Sequence, residues 1–446
     1  MVQRRADADV AAASADGGNG TVVRRAPFSD NPQVGVRGQR TQQRILDAAL
    51  RVFGEAGYHQ CSIDAITRHA GCSRVSFYQY FSSKEDVFRQ LGMQVARQLN
   101  ASTDRLDPVT ADGAGWQAMR EWVGRYAEIY DRYRPVFRAY PAAEESDTAL
   151  AGDSRRAAHR YVAGIQSRVV GTTLSPRELD EVVELLRETL ARMLDDVTTL
   201  RFASPSAYPD DVVLDAYTDV VHRTLFGLRR EVNVHEHRVR RPPKLAMGPI
   251  MRDASERDQR ADLEPPRGGR VLTALLDAAR DVFVSRGYHG TRVDDVVEAA
   301  GVSHGAFYRY FKNKDDLAHL LAAEAMRTLS KTFGEIPDVG DDGATGRAAL
   351  RRWLRRYNRA QLSEAAMIRV WADAALQDDS LLEDSAAVLD WGRRRMAQFL
   401  GGRDFGDADI DAVVLLALVD TFGVRERAAR TADAAVTIIE RGFLGR

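Results

Sequence analysis

The chain repeats itself. Residues 37–87 read RGQRTQQRILDAALRVFGEAGYHQCSIDAITRHAGCSRVSFYQYFSSKEDV, and residues 267–317 read RGGRVLTALLDAARDVFVSRGYHGTRVDDVVEAAGVSHGAFYRYFKNKDDL. The two align without a gap at an offset of 230, with 22 of 51 pairs identical. Fainter similarity continues at an offset of 231, where Trp122 and Tyr126 meet Trp353 and Tyr357, Arg138 meets Arg369, and Asp147 meets Asp378. So long a period excludes a solenoid, whose units run to about 20–50 residues. At 446 residues the chain is also too long for one ordinary core. Two copies of a whole domain account for both facts.

The repeat sets the boundaries. Residues 1–36, rich in Ala, Asp, Gly and Arg without periodicity, read as a mobile tail. Residues 37–87 and 267–317 form two heads, followed by helical regions at 88–228 and 318–446. Between the halves, residues 229–266 carry Pro242, Pro243, Pro249, Pro265 and Pro266 amid dense charge and read as a linker. A coil of that length reaches roughly 35 Å, enough to return the chain to the start of a second domain.

Hydrophobic spacing predicts an all-α fold. Ile45, Leu46, Ala49, Val52 and Phe53 keep helical spacing, as do Leu275, Leu276, Ala279, Val282 and Phe283. Gly57 and Gly287 supply the left-handed residue that ends this helix. Ser62 and Thr291 are placed to cap a second helix, Ser73 and Ser303 a third, and Ser83 and Asn313 a fourth. Two short helices joined by Gly71-Cys72-Ser73 or Gly301-Val302-Ser303 are a helix-turn-helix.

The third helix carries the functional signal. At about 100° per residue, Phe77 and Phe81 share an inward face while Val75 and Gln79 point outward, flanked by Ser76 and Tyr78. In the second copy Phe307 and Phe311 face inward, and Gly305 and Arg309 face outward beside Ala306 and Tyr308. Small residues permit close approach to a major groove, and one long side chain reaches a base edge. Between Arg74 and Lys84, and between His304 and Lys314, there is no acidic residue; Asp47, Asp64, Asp277, Asp294 and Asp295 fall on other helices. Positive charge thus gathers where phosphates would lie. Both copies keep Tyr78/Tyr308, Tyr80/Tyr310 and Lys84/Lys314, a pattern that packing alone does not demand.

These two segments, GCSRVSFYQYFSSKEDV and GVSHGAFYRYFKNKDDL, resemble the N-terminal head of the TetR family of bacterial transcriptional regulators. The resemblance covers about 50 residues in each half. It implies a DNA-binding surface made of Arg74, Val75, Ser76, Tyr78, Gln79, Tyr80 and Lys84 in the first head. In the second it implies His304, Gly305, Ala306, Tyr308, Arg309, Tyr310 and Lys314. It further implies that two long helices from each half, Pro176 to Leu200 with Asp210 to Leu228 and Asp407 to Arg425 with Thr431 to Phe443, build a four-helix interface. Members of the family are usually homodimers with one head per chain. Fusion of two unequal units therefore predicts an intramolecular pseudo-dimer, with a homodimer of whole chains as the alternative.

The same resemblance implies an apolar or amphipathic small-molecule effector in the helical regions, with Trp122, Tyr126, Phe137, Trp353, Tyr357 and Trp371 as candidate pocket residues. Arg125, Arg138, Arg356 and Arg369 are candidates for an anionic head group. Gln79 suits adenine and Arg309 suits guanine, so the expected operator is non-palindromic. A net charge of −1 does not by itself suggest a polyanion partner, but a reading face is a small part of the surface.

Other classes find little support. Gly-rich phosphate loops, metal-spaced His/Cys clusters and a nucleophile with its base are all missing, so neither an enzyme nor a cofactor is expected. Cys61 and Cys72 are too few to staple such a fold, and Cys72, aligned with Val302, reads as a small buried hydrophobe. Glu144-Glu145 and Asp378-Asp379 read as solvated helix starts. No stretch reaches the ~18 apolar residues of a membrane span, and a cytoplasmic protein is expected. The rival reading is a ligand- or partner-binding protein whose heads no longer grip DNA.

Overall fold

The computed structural model describes residues 36–233 apart from 59 and 147, residues 244–253 apart from 247 and 251, and residues 269–338, 343–375, 379–424 and 428–446. The expected N-terminal tail lies outside them but for its last residue, as does Asp378. Among the described residues every regular element is helical, apart from an isolated bridge between Val109 and Val169.

The first unit runs α1 (Val36–Ala56), α2 (Ile63–Ala70), α3 (Arg74–Tyr80), α4 (Lys84–Asp104), α5 (Gly113–Ser146), α6 (Thr148–Gln166), α7 (Pro176–Ala203), α8 (Asp210–Phe226) and a short α9 (Arg230–Asn233). The second runs α10 (Gly269–Gly290), α11 (Val293–Ala300), α12 (His304–Tyr310), α13 (Lys314–Gly334), α14 (Ala344–Ala375), α15 (Asp379–Phe399), α16 (Ala408–Gly423) and α17 (Ala428–Thr437), which passes into a π-helical turn at Ile438–Phe443. Within α5 the backbone leaves helical geometry at Tyr133, two residues before Pro135, whose ring opposes the preceding turn. Glu144 and Glu145 belong to the end of this helix rather than a helix start. A long helix simply continues through the segment.

Each head has its own small core. Ile45, Ala49, Phe53, Phe77 and Phe81 close the first, and Leu275, Ala279, Phe283, Phe307 and Phe311 close the second. Helices α5–α8 and α13–α17 share a core that draws on both halves of the chain. At its centre α7 packs on α16 and α8 on the π-helical turn. Gly442 permits the latter contact: a Cβ there would stand 2.5 Å from Thr224 Oγ1 and 3.0 Å from the Val220 carbonyl oxygen.

Internal symmetry extends to side-chain pairings. Arg120 pairs with Asp215, and Arg351, 231 positions after Arg120, pairs with Asp433, 218 positions after Asp215. Trp116 donates to Asp219, 2.8 Å away; Arg347 and Thr437, their counterparts at the same two offsets, are joined at 2.9 Å. Other contacts cross between the halves. The buried Arg223 donates from Nε to the Gly442 carbonyl (2.7 Å) and meets Asp411 at 3.2 Å, while Arg192 bridges Asp196 (3.0 Å) and Asp420 (3.3 Å).

The segment read as a linker is not a coil throughout. Asn233 is fully buried and its amide reaches His222 Nδ1 at 3.2 Å. Farther on, Asp390 and Asp384 accept from the backbone N–H groups of Leu245 and Ile250, and Ile250 is buried. Buried carboxylates on α15 supply these anchors, and turn residues with proline do not reveal them.

Candidate nucleic-acid interface

Each reading helix is positioned by local chemistry. Gly71 and Gly301 take left-handed φ values of 59° and 64° and end the preceding helix. Ser73 then accepts from Ser76 N (3.1 Å) and Ser303 from Ala306 N (3.2 Å), satisfying otherwise orphaned donors at the start of α3 and α12. Ser83 and Asn313 cap the following helices in the same manner. One cap differs from expectation. Thr291 donates its hydroxyl to the Gly287 carbonyl instead of capping α11, and the position matching Ser62 is Arg292, whose N–H is accepted by Asp295. The gapless offset puts Cys61, not Ser62, opposite Thr291, and a side chain one residue early cannot reach the cap.

The aromatic anchors face inward. Phe77 and Phe81 are fully buried with ring centres 5.8 Å apart, and Phe307 and Phe311 repeat this at 5.5 Å. Opposite them lie the candidate contacts. Val75 is 72 % exposed, Arg74 and Gln79 are exposed, and Ser76 is half-buried. On α12, His304, Gly305 and Arg309 are exposed, Ala306 is half-buried, and Tyr308 is 58 % exposed. The tyrosines are divided in their loyalties: Tyr78 is half-buried, edge-on to Phe77 at 5.4 Å, and Tyr80 and Tyr310 pack partly into their head cores.

Folding adds two features that linear reading missed. Asp64 on α2 reaches Arg74 at 2.8 Å, and Asp294 on α11 lies 3.5 Å from His304. The absence of acid within the reading segments therefore does not carry into space. Both pairs are well exposed and weak, so a phosphate can take the cation over. The lysines are engaged too. Lys84 donates to the Tyr58 carbonyl at 2.9 Å with its ammonium 4.6 Å from that ring centre; Lys314 repeats this on Tyr288, at 2.9 and 4.4 Å. Packing does demand these lysines, contrary to the sequence-based expectation, because each ties α4 or α13 to the turn ahead of the second helix.

Burial explains the thiols. Cys61 is the buried one, its thiol pushed up to about 11, whereas Cys72 is only half-buried because the turn after α2 leaves one side open.

The family described as "Bacterial regulatory proteins, tetR family" matches the chain twice, at residues 45–91 and 275–321. The chain carries two TetR-family heads. Its two TetR heads are α1–α4 and α10–α13. Relatives include the fatty acid metabolism regulator protein of Bacillus subtilis, 42 % identical over 52 residues, or 12 % of this chain and 27 % of that protein. The transcriptional repressor KstR2 of Rhodococcus jostii is 34 % identical over 91 residues, 20 % of this chain and 42 % of the relative. The transcriptional regulator RutR of Escherichia coli is 30 % identical over 122 residues, 26 % and 56 % of the two chains. The chain thus spans from about a quarter to just over half the length of these relatives.

The candidate pocket residues fall into two groups. Trp122 and Tyr126 are buried, with ring centres 6.1 Å apart, and half-buried Phe137 lies 6.1 Å from Tyr126. Among the described residues Trp122 Nε1 and the Tyr126 hydroxyl are buried without hydrogen-bond partners, and the Tyr161 ring centre lies 6.0 Å from that of Trp122. Burial pushes Tyr126 up to about 12, against the pull of Arg187. In the second unit Trp353 donates to the Thr332 carbonyl (2.9 Å) and Tyr357 to Asp420 (2.6 Å), though Nε1 of half-buried Trp371 is unpaired among the described residues. Tyr161 and Arg187 escaped the sequence reading. The repeat marks them, since their counterparts at an offset of 231 are Gly392 and Leu418.

Proposed function

We propose that this chain is a sequence-specific double-stranded DNA-binding transcriptional regulator, a ligand-responsive repressor whose two unequal heads read a non-palindromic operator. The observation that carries the reading is the duplicated presentation of α3 and α12. Each is capped by a serine and anchored by two buried phenylalanines, so the opposite face is offered to a groove. Residues 37–87 and 267–317 are the reading heads in this proposal, and 88–228 and 318–446 the regulatory units. Gln79 favours adenine and Arg309 guanine, which makes the half-sites unlike. Repression follows the printed name of the Rhodococcus relative.

The shared core of α7, α8, α16 and the C-terminal π-helical turn supports an intramolecular pseudo-dimer, with one chain supplying both heads. For the effector, the buried donors of Trp122 and Tyr126, unpaired among the described residues, favour a ligand bearing hydrogen-bond acceptors in the first unit. Such a ligand acts through unequal affinity for the DNA-competent and incompetent arrangements of the heads.

Capture of genomic fragments by the purified full chain, followed by sequencing, tests the proposal. Enrichment of one motif with two unlike half-sites, spaced near a helical turn or a multiple, is expected, together with steep loss of binding on adding salt. A perfect inverted repeat would defeat the claim of unequal heads. Failure to enrich any motif would favour heads that no longer grip DNA.

A further inference from the structure

We infer that the groove between α13 and α14 binds a small phosphate-bearing polyanion. It is an open groove of about 600 Å³, within the size range of small-molecule sites. Arg327 and Lys331 enter from α13, and Arg356 and Arg359 from α14. Spacings of four and three residues put each pair on one helical face, and the two faces oppose each other. Among the described residues Glu335 is the one carboxylate in the lining, held by Arg356 at 3.4 Å, while Glu364 borders the groove beside Thr328. Four cations against one acid leave a local excess of three positive charges in a chain of net charge −1. Among the described residues Arg327, Lys331 and Arg359 form no ion pair.

The chemistry selects the ligand class. Converging like charges repel one another unless solvent or a bound anion offsets them, and a groove lined by one sign of charge concentrates counter-ions. Guanidinium forks match phosphate oxygens in pairs, while lysine adds a point charge. Hydroxyls in the lining do not compete for this role. Thr328, Thr332 and Ser363 donate to the carbonyls of Glu324, Thr328 and Ala360. Recognition is therefore ionic, and a monocarboxylate leaves most of the charge unanswered. A triphosphate chain answers it. Operator DNA is not the occupant, because Lys331 lies 17 positions along α13 from Lys314, about 25 Å at 1.5 Å per residue.

Isothermal titration of the full-length protein with tripolyphosphate at low salt tests the site. One equivalent is expected to bind, and Lys331→Glu and Arg359→Glu should each weaken it at least tenfold, the effect of one lost charge-assisted contact. Arg309→Ala, in the reading helix, should leave it unchanged. Tighter binding of ATP than of tripolyphosphate would also support the site and add a nucleoside to its ligand. Lys331→Gln keeps the test alive should a charge reversal unfold the chain. Absence of binding overturns the inference, and so does equal affinity in wild type and both variants, which would move the polyanion elsewhere. Loss of non-specific DNA binding in these variants with tripolyphosphate affinity retained overturns it too, making the groove a nucleic-acid track. No operator enters the titration, so failure of the regulator reading leaves its outcome intact.

Discussion

At the scale of single residues, the two heads are built alike but equipped differently. Val75 and Gln79 in one correspond to Gly305 and Arg309 in the other, on helices with the same cap and the same buried phenylalanines. Arg309→Ala should relax base discrimination at one half-site by about 1–3 kcal/mol and leave the other unaltered. Competition binding with base-substituted operators measures this, and equal relaxation at both half-sites would contradict it. Lys314→Ala should behave otherwise, weakening all sequences alike. The lysine holds the Tyr288 carbonyl, so its loss loosens the whole head instead of removing one base contact. Spacing alone made Gln79 and Arg309 legible. The tie between Lys314 and Tyr288 was not, because the two lie 26 residues apart and meet only when the head closes.

At the scale of elements, the seam between α7 and α16 carries a titratable group. Asp196 is buried beside Arg192 and pushed from an ordinary 3.8 up to about 7, chiefly by burial, with Asp420 and Asp195 adding to the effect against the attraction of Arg192. A carboxyl whose folded value lies above its unfolded one stabilises the fold below the unfolded value and loses that contribution as pH rises through the folded value. The thermal midpoint should therefore fall between about pH 4 and pH 7 from this group, and Asp196→Asn should flatten the curve. An unchanged pH profile in the variant would assign the dependence elsewhere. The family resemblance pointed to these helices, as Pro176 to Leu200 and Asp407 to Arg425. It could not say which polar residues of α7 would face the other half.

At the scale of the whole molecule, one core spans both units, so the halves should not melt independently. Urea denaturation followed by tryptophan fluorescence should give a single transition for the two regulatory units. Arg223→Leu should destabilise that transition by about 3–5 kcal/mol, because it takes a buried cation from both Asp411 and Asp219 and the donor from the Gly442 carbonyl. Two separate transitions in the wild type, or a variant as stable as the parent, would refute the account.

The sequence by itself determined the duplication, the all-helical class, the two helix-turn-helix heads and the outward faces of their third helices. All of these rest on local periodicity, capping residues and a fixed offset. Tertiary structure decided the rest. It brought Asp64 to Arg74, set Lys84 on Tyr58, docked Leu245 and Ile250 on α15, and gathered four cations between α13 and α14. Those contacts join residues whose separation along the chain carries no periodic signal. Their strength depends on burial and distance, which exist only once the helices have packed.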